Sequence, residues 1–327
     1  MGIFALHATG RRYVNVFLDP AQACNLRCQM CYFSDPEARK QMRGVFSEED
    51  IKAFAKAIFP RAIKLQIGCG AEPTVYHGLV NIVKLAKEYG VPYVAITTNG
   101  NLLNKDKLRE LAYNGLDEIT VSTHGFTKNT YETLMQGGSY EAFLQLRDAL
   151  QAVREEYPSF HIRINYTINE DNVEELITFK DIFKDVLPNV LQIRPIQKIG
   201  NSKYCNFSLD KIRKEYDTLL QPVVDFCKEK NITCIYPTID NLRKLEAEVQ
   251  EESHGNSTID SLTYFYISPY EGWKEKIMDP YHETFKDYCK RTKRTTYIIR
   301  SLLGLTGSGS PEEKSSERTK NLNYNVK

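Results

Sequence analysis

The sequence predicts a parallel α/β fold, an open partial barrel of six βα units followed by a mainly helical C-terminal extension. Two observations carry this. Apolar runs rich in Val, Ile and Tyr alternate with longer amphipathic stretches, which is the pattern of parallel strands joined by crossover helices. The chemically unusual residues then fall at or just past the C-terminal ends of those runs, on the face where parallel βα barrels place their sites. Six units ending near Arg194 suit an open barrel better than a closed eight-fold one.

In chain order, strands are expected at Tyr13–Leu18, Ala62–Ile67, Tyr93–Thr97, Glu118–Ser122, His161–Ile168 and Val190–Arg194. Helices are expected between them. Ser47-Glu48-Glu49-Asp50 has the form of an N-cap with acid in the first turn, ahead of Ile51, Phe54, Ala55 and Ile58 at helical spacing. Further helices are expected at Gly78–Tyr89, Lys105–Tyr113, Tyr140–Glu156 and Val173–Val186, the last stopping ahead of Pro188. After Gln197 the character changes. Ser208–Glu229 and Ile239–Glu252 read as helices around a short strand at Thr233–Tyr236, with an aromatic-rich end at Tyr264, Phe265, Tyr266, Tyr270 and Trp273. From about Gly304 apolar residues nearly vanish, so a disordered tail is expected. The domain reading is therefore a core at 1–197, an extension at 198–303 that covers a substrate pocket, and a tail at 304–327.

At 327 residues the chain can bury a large core, and its formal net charge of +1 leaves no polyanion footprint, so nucleic-acid binding gains no support. The longest apolar stretches fall far short of the ~20 residues that a membrane helix needs. The N-terminus lacks a basic-then-apolar leader, and Leu6 stands where a myristoylation signal wants Ser or Thr. A cytoplasmic protein without a membrane span is the expectation. Eight cysteines in this length are too few and too irregular for a disulfide scaffold.

Three of them stand out. Cys24, Cys28 and Cys31 form a C-x3-C-x2-C run that supplies three thiolates within one loop and no fourth. A four-iron cube held by three cysteines keeps one iron open to a non-protein ligand, as chemistry at the cluster requires. Zinc would need a fourth ligand, for which His7, His77 and His124 qualify by residue type only.

Asn25-Leu26-Arg27 between the first cysteines and Tyr32 after the third complete a run that resembles the signature of the radical S-adenosylmethionine (radical SAM) superfamily. The resemblance covers roughly the first 200 residues, with its motifs in the family's order. It implies a barrel of the radical SAM type and two cofactors, a [4Fe-4S] cluster on Cys24, Cys28 and Cys31, and S-adenosylmethionine (SAM) chelating the open iron. It also implies the reaction: an electron from the cluster cleaves the sulfonium to methionine and a 5′-deoxyadenosyl radical, which abstracts hydrogen from an unidentified substrate. Because the cluster needs an electron, the implied partners are an external one-electron donor of flavodoxin or ferredoxin type and a small-molecule or peptide substrate.

Gly70-Ala71-Glu72-Pro73 stands where the family has Gly-Gly-Glu-Pro, so the resemblance gives this segment to SAM's methionine amino group, with Glu72 as the acceptor. Ala71 departs from the pattern, and a modest shift of the loop is expected. Thr97-Thr98-Asn99-Gly100 resembles the family's Thr-Asn-Gly turn and brings Asn99 to the cofactor, although Asn-Gly is also an ordinary turn pair. Ser122 ends the fourth strand where the family contacts ribose or carboxylate. Asn165 shares a strand face with His161 and Arg163 and needs a partner inside a barrel. Arg194, just before Pro195, can reach SAM's carboxylate or a substrate acid. Met30 replaces the usual aromatic residue before the third cysteine, and Cys69, Cys227 and Cys234 read as packing. The competing reading is an iron–sulfur electron-transfer or sensing protein, which accounts for three cysteines and leaves the ordered motifs unexplained.

Overall fold

A computed structural model describes residues 2–197, 202–204, 206–248, 262–270 and 278–303. Its centre is a sheet of eight parallel strands: β1 (Val14–Leu18), β3 (Ala62–Ile67), β4 (Tyr93–Thr98), β5 (Glu118–Thr123), β7 (His161–Ile168), β8 (Val190–Pro195), β9 (Thr233–Ile235) and β10 (Tyr264–Ile267). Their spatial order is β10-β1-β3-β4-β5-β7-β8-β9, and among the described residues β10 and β9 each pair on one side only, so the sheet is open as expected. Two short segments, β2 (Arg27–Cys28) and β6 (Met135–Gln136), form a separate antiparallel ribbon.

The two faces of the sheet differ because the sequence alternates. Val14, Val16 and Leu18 of β1 are buried on one side while Asn15 and Phe17 on the other are half-buried. The same alternation puts Leu65, Ile96, Ile119, Val121, Ile162, Ile164, Leu191 and Ile193 on the outer face, each at most 1% exposed. These pack with helix residues such as Ile51, Ile58, Ile82, Val83, Leu108, Leu111, Leu146 and Val153 in one continuous core. Helix entry is capped as the sequence suggests: Ser47 and Asp50 form a reciprocal capping box, and Asn104 and Ser139 cap Lys105–Tyr113 and Tyr140–Glu156.

Two expectations are corrected. The stretch expected as one helix over Val173–Val186 is a 3-10 turn at Val173–Thr178 followed by four helical residues at Phe179–Ile182. The β-branched pair Ile177-Thr178 sits at the junction, where stiff χ1 angles disfavour a continuous helix. The aromatic run at the end of the extension is a strand: Tyr264–Ile267 pairs in parallel with β1, Phe265 and Ile267 are buried, and Tyr264 stacks on Phe17 at 4.6 Å. Period-two alternation of aromatic and β-branched side chains accounts for it. Thus β9 and β10, both beyond residue 197, complete the two edges of the core sheet. Trp273, Cys205 and the 304–327 tail lie outside the described residues. In the short basic stretch Lys290-Arg291-Thr292-Lys293-Arg294, Arg294 is buried and donates to the Leu262 and Tyr264 carbonyls (2.8 and 3.1 Å), while Arg291 pairs with Glu283 at 2.6 Å.

Candidate functional site

The cysteine loop is fixed from several sides. Leu26 is fully buried in the core, and the β2–β6 ribbon sets Cys28 opposite Met135. Gln29 extends the attachment, its backbone N–H donating to Leu134 O and its side chain to Thr133 O, both at 2.8 Å. Within the loop Cys31 N donates to Cys28 O (2.9 Å), and the Arg27 guanidinium donates to the carbonyls of Cys24 and Leu26 (2.7 and 2.6 Å). Met30 faces the core at 4% exposure. The three thiols are half-buried and are not joined in disulfides. Burial, with smaller contributions from the neighbouring thiols and Glu72, raises Cys24 to about 12 and Cys28 well above the usual thiol range. A metal group bound here would take the thiols as thiolates and release their protons.

The Gly70–Pro73 segment is held by a residue that the sequence reading missed. Asp19, fully buried one residue past β1, accepts from the backbone N–H groups of Cys69 (2.7 Å), Gly70 (2.9 Å) and Ala71 (3.4 Å), and from Tyr266 Oη of β10 (2.5 Å). Burial raises its pKa, and these donors oppose the rise. The signal in the sequence was a carboxylate ending an otherwise apolar strand. Tyr32, just after Cys31, donates to Gly70 O and so ties the cysteine loop to this segment. A side chain at Gly70 would collide, because a Cβ there would lie 2.9 Å from Tyr32 Oη and 3.2 Å from Asp19 Oδ2. Ala71 needs no glycine, since its φ is not positive.

Glu72 is 4% exposed and braces the next turn. Its Oε1 accepts from Thr74 N (3.1 Å), Thr74 Oγ1 (2.5 Å) and Thr98 Oγ1 (2.6 Å), and its Oε2 from Asn99 N (2.8 Å). Burial raises its pKa against these bonds. Oε2 retains room for one further donor. Asn99 then reaches the cysteine loop: Nδ2 donates to Asn25 Oδ1 at 2.9 Å and lies 3.9 Å from Cys24 Sγ. Gly100 has φ +75°, and a Cβ there would meet Leu146 Cδ2 at 2.2 Å, so the turn needs its glycine.

Ser122 and Asn165 are register partners on the inner face of β5 and β7, with Gln192 of β8 beside them. Asn165 is 6% exposed and its Oδ1 has no partner. His124, just past β5, also has an unpartnered buried Nδ1, and burial lowers its pKa to about 4, helped by the Arg194 charge. Arg194 sits half-buried at the end of β8, level with Thr167. The structure thus gathers Cys24, Glu72 and Asn99 into one bonded unit and sets Ser122, Asn165 and Arg194 on the inner face of β5, β7 and β8. His7 is elsewhere, bonded to Tyr13 Oη (2.9 Å) and Thr295 Oγ1 (2.8 Å).

The residues fit a cluster with SAM better than an ion. Among the described residues no group of three or more His, Cys, Asp or Glu is gathered as a single metal ion requires, whereas a four-iron cube is wider and needs its thiolates apart. Buried polar atoms on Asn165 and His124 without partners are what a polar organic ligand would satisfy.

The radical SAM superfamily profile matches residues 18–180. A Saccharolobus solfataricus protein named "Probable GTP 3',8-cyclase" is 26% identical over 206 residues, which are 63% of this chain and 64% of that protein. The GTP 3',8-cyclase of Peptoclostridium acidaminophilum is 28% identical over 174 residues, 53% of each chain. The match therefore spans less than two thirds of those relatives' length. Streptococcus suis SuiB has the same fold at TM-score 0.60 and 16% identity, covering 84% of this chain and 65% of its own. So does anSMEcpe with bound AdoMet, at TM-score 0.57 and 17% identity over 90% of this chain and 84% of its own. With the profile match, the ordered motifs and the open parallel sheet together, the chain belongs to the radical SAM superfamily.

Proposed function

We propose that Cys24, Cys28 and Cys31 hold the cluster and that Gly70, Ala71, Glu72, Pro73, Asn99, Ser122, Asn165 and Arg194 hold SAM, in an enzyme that abstracts hydrogen from a small-molecule or peptide substrate. One observation supports this above the rest. The cysteine loop and the SAM-side loops are a single hydrogen-bonded assembly, through Tyr32 to Gly70 and Asn99 to Asn25, at the C-terminal ends of the strands. When bound, the cluster and SAM supply one-electron reductive cleavage of the sulfonium and a carbon radical for hydrogen abstraction.

The chain's own residues do the positioning. Asp19 draws three successive N–H groups inward and so fixes the backbone of the loop that would face SAM's ammonium. Glu72 fixes the Asn99 turn and offers Oε2 as a further acceptor. Ser122 and Asn165 present an inner-face row to ribose or carboxylate. His124 stays neutral near pH 7 beside Arg194. The relatives named for GTP cyclisation favour a small molecule, while a SuiB structure bound to its precursor peptide SuiA keeps a peptide in view.

No helix among the described residues is long and apolar enough to cross a membrane. A cytoplasmic enzyme fed by a flavodoxin- or ferredoxin-type donor is the proposed setting, with residues 1–197 as the catalytic core and 198–303 as the part that shapes the substrate side. Anaerobic reconstitution with iron and sulfide, followed by dithionite and SAM, should yield 5′-deoxyadenosine. An iron–sulfur protein that yields none would be an electron carrier or sensor instead.

A further inference from the structure

Nearer the N-terminal ends of the strands, the inner face carries a second polar group that the cofactor site does not use. Lys64 of β3, Tyr93 of β4, Glu118 of β5 and Arg163 of β7 converge there. Glu118, 4% exposed, accepts at Oε2 from Tyr93 Oη (3.1 Å) and Arg163 Nη2 (3.4 Å). Lys64 Nζ lies 5.3 Å from the Tyr93 ring centroid, and its ammonium is attracted by Glu118 and repelled by Arg163. The cluster holds two cations against one carboxylate, and among the described residues Glu118 is the one acid that pairs with Arg163. The pair is a single long contact, and the guanidinium's Nε is buried with no partner. A guanidinium in that state lacks the two-pronged acceptor that its geometry matches, which is the edge of a carboxylate or a phosphate. Burial also lowers the Lys64 pKa, against the opposing pull of Glu118.

We propose that Arg163 and Lys64 seat an oxyanion of the substrate, a carboxylate or phosphate group, on the floor of the partial barrel. The inference rests on the radical SAM reading of the site above it. Arg163 is two residues below Asn165 on β7, so a bound oxyanion lies roughly 7 Å beneath the Ser122–Asn165 row. A small substrate then has its charged end on the floor and its reacting carbon toward the cofactors. Glu118 and Tyr93 act as positioning residues: Glu118 holds the Arg163 guanidinium, and Tyr93 in turn donates to Glu118.

The test uses the full chain, anaerobically reconstituted and saturated with SAM, titrated calorimetrically with inorganic phosphate and separately with acetate. Saturable binding of at least one probe is expected, at least ten-fold weaker in Arg163→Gln, with iron content and SAM affinity unchanged. Tighter phosphate points to a phosphorylated substrate, and tighter acetate to a carboxylate. Should Arg163→Gln fail to fold because it strands Glu118, the double variant E118Q/R163Q removes both charges and should fold while still failing to bind. Three results would overturn the proposal: neither probe binds the wild type, the variants bind like wild type, or SAM affinity falls together with probe binding. Absent 5′-deoxyadenosine with retained probe binding would instead strike the proposed function and leave the oxyanion seat standing.

Discussion

The two faces of the central sheet come from the same eight strands, yet they are built by opposite rules. On the outer face Leu65, Ile96, Val121 and Ile164 are at most 1% exposed and packed under helices. On the inner face Lys64, Ser122, Arg163 and Asn165 take the alternate positions, and buried atoms such as Asn165 Oδ1 and Arg163 Nε have no protein partner. A folded chain leaves few buried polar atoms unpaired. The outer face thus carries stability, while the inner face carries capacity for a ligand.

The largest expected break of this contrast is on the outer face. Ile96→Ala should cost ~2–5 kcal/mol of folding stability, by lost transfer energy and the cavity left behind, read as a shift in denaturant midpoint. A cost below 1 kcal/mol would mean that the face is loosely packed.

Much of this contrast was legible in the sequence. All six core strands lie within one residue of their expected ends, because period-two alternation and β-branched content are local signals. The cysteine loop, the Glu72 segment and the Asn99 turn were legible because their spacing along the chain is itself the pattern. Asp19 was not, since its partners are about 50 residues away at Cys69–Ala71 and about 250 away at Tyr266. Strand β10 was hidden for a similar reason: four residues of alternation are too few to outweigh helical surroundings, and pairing with β1 settles the matter.

A pH titration sharpens the contrast at the inner edge. His124 titrates near 4 when folded against about 6.5 unfolded, so the folded state binds fewer protons between those values. Stability should be full above pH 6.5 and fall as pH drops toward 4, by about 3 kcal/mol at the limit. His124→Gln should flatten that slope. An unchanged slope in the variant would place the titration on another group.

Asp19→Asn keeps shape but turns an NH2 toward donors, and should cost ~1.5–3 kcal/mol while loosening the Gly70–Pro73 loop. Hydrogen exchange at Cys69 and Gly70 would report it. Protection equal to wild type would show that Asp19 does not hold that loop.

The smallest stability change is expected at Asn165→Ala, within about 1 kcal/mol, because it removes a group whose acceptor is already unpaired. SAM affinity should fall all the same. A large stability loss with unchanged affinity would return Asn165 to the scaffold.

The central claim is that the three cysteines form the seat of the cluster on which the site depends. Iron and sulfide per chain, measured with visible absorbance after anaerobic reconstitution, test it most directly. Wild type should hold about four irons, and Cys28→Ala should lose the cluster and with it 5′-deoxyadenosine formation. A full complement of iron in Cys28→Ala would contradict the account.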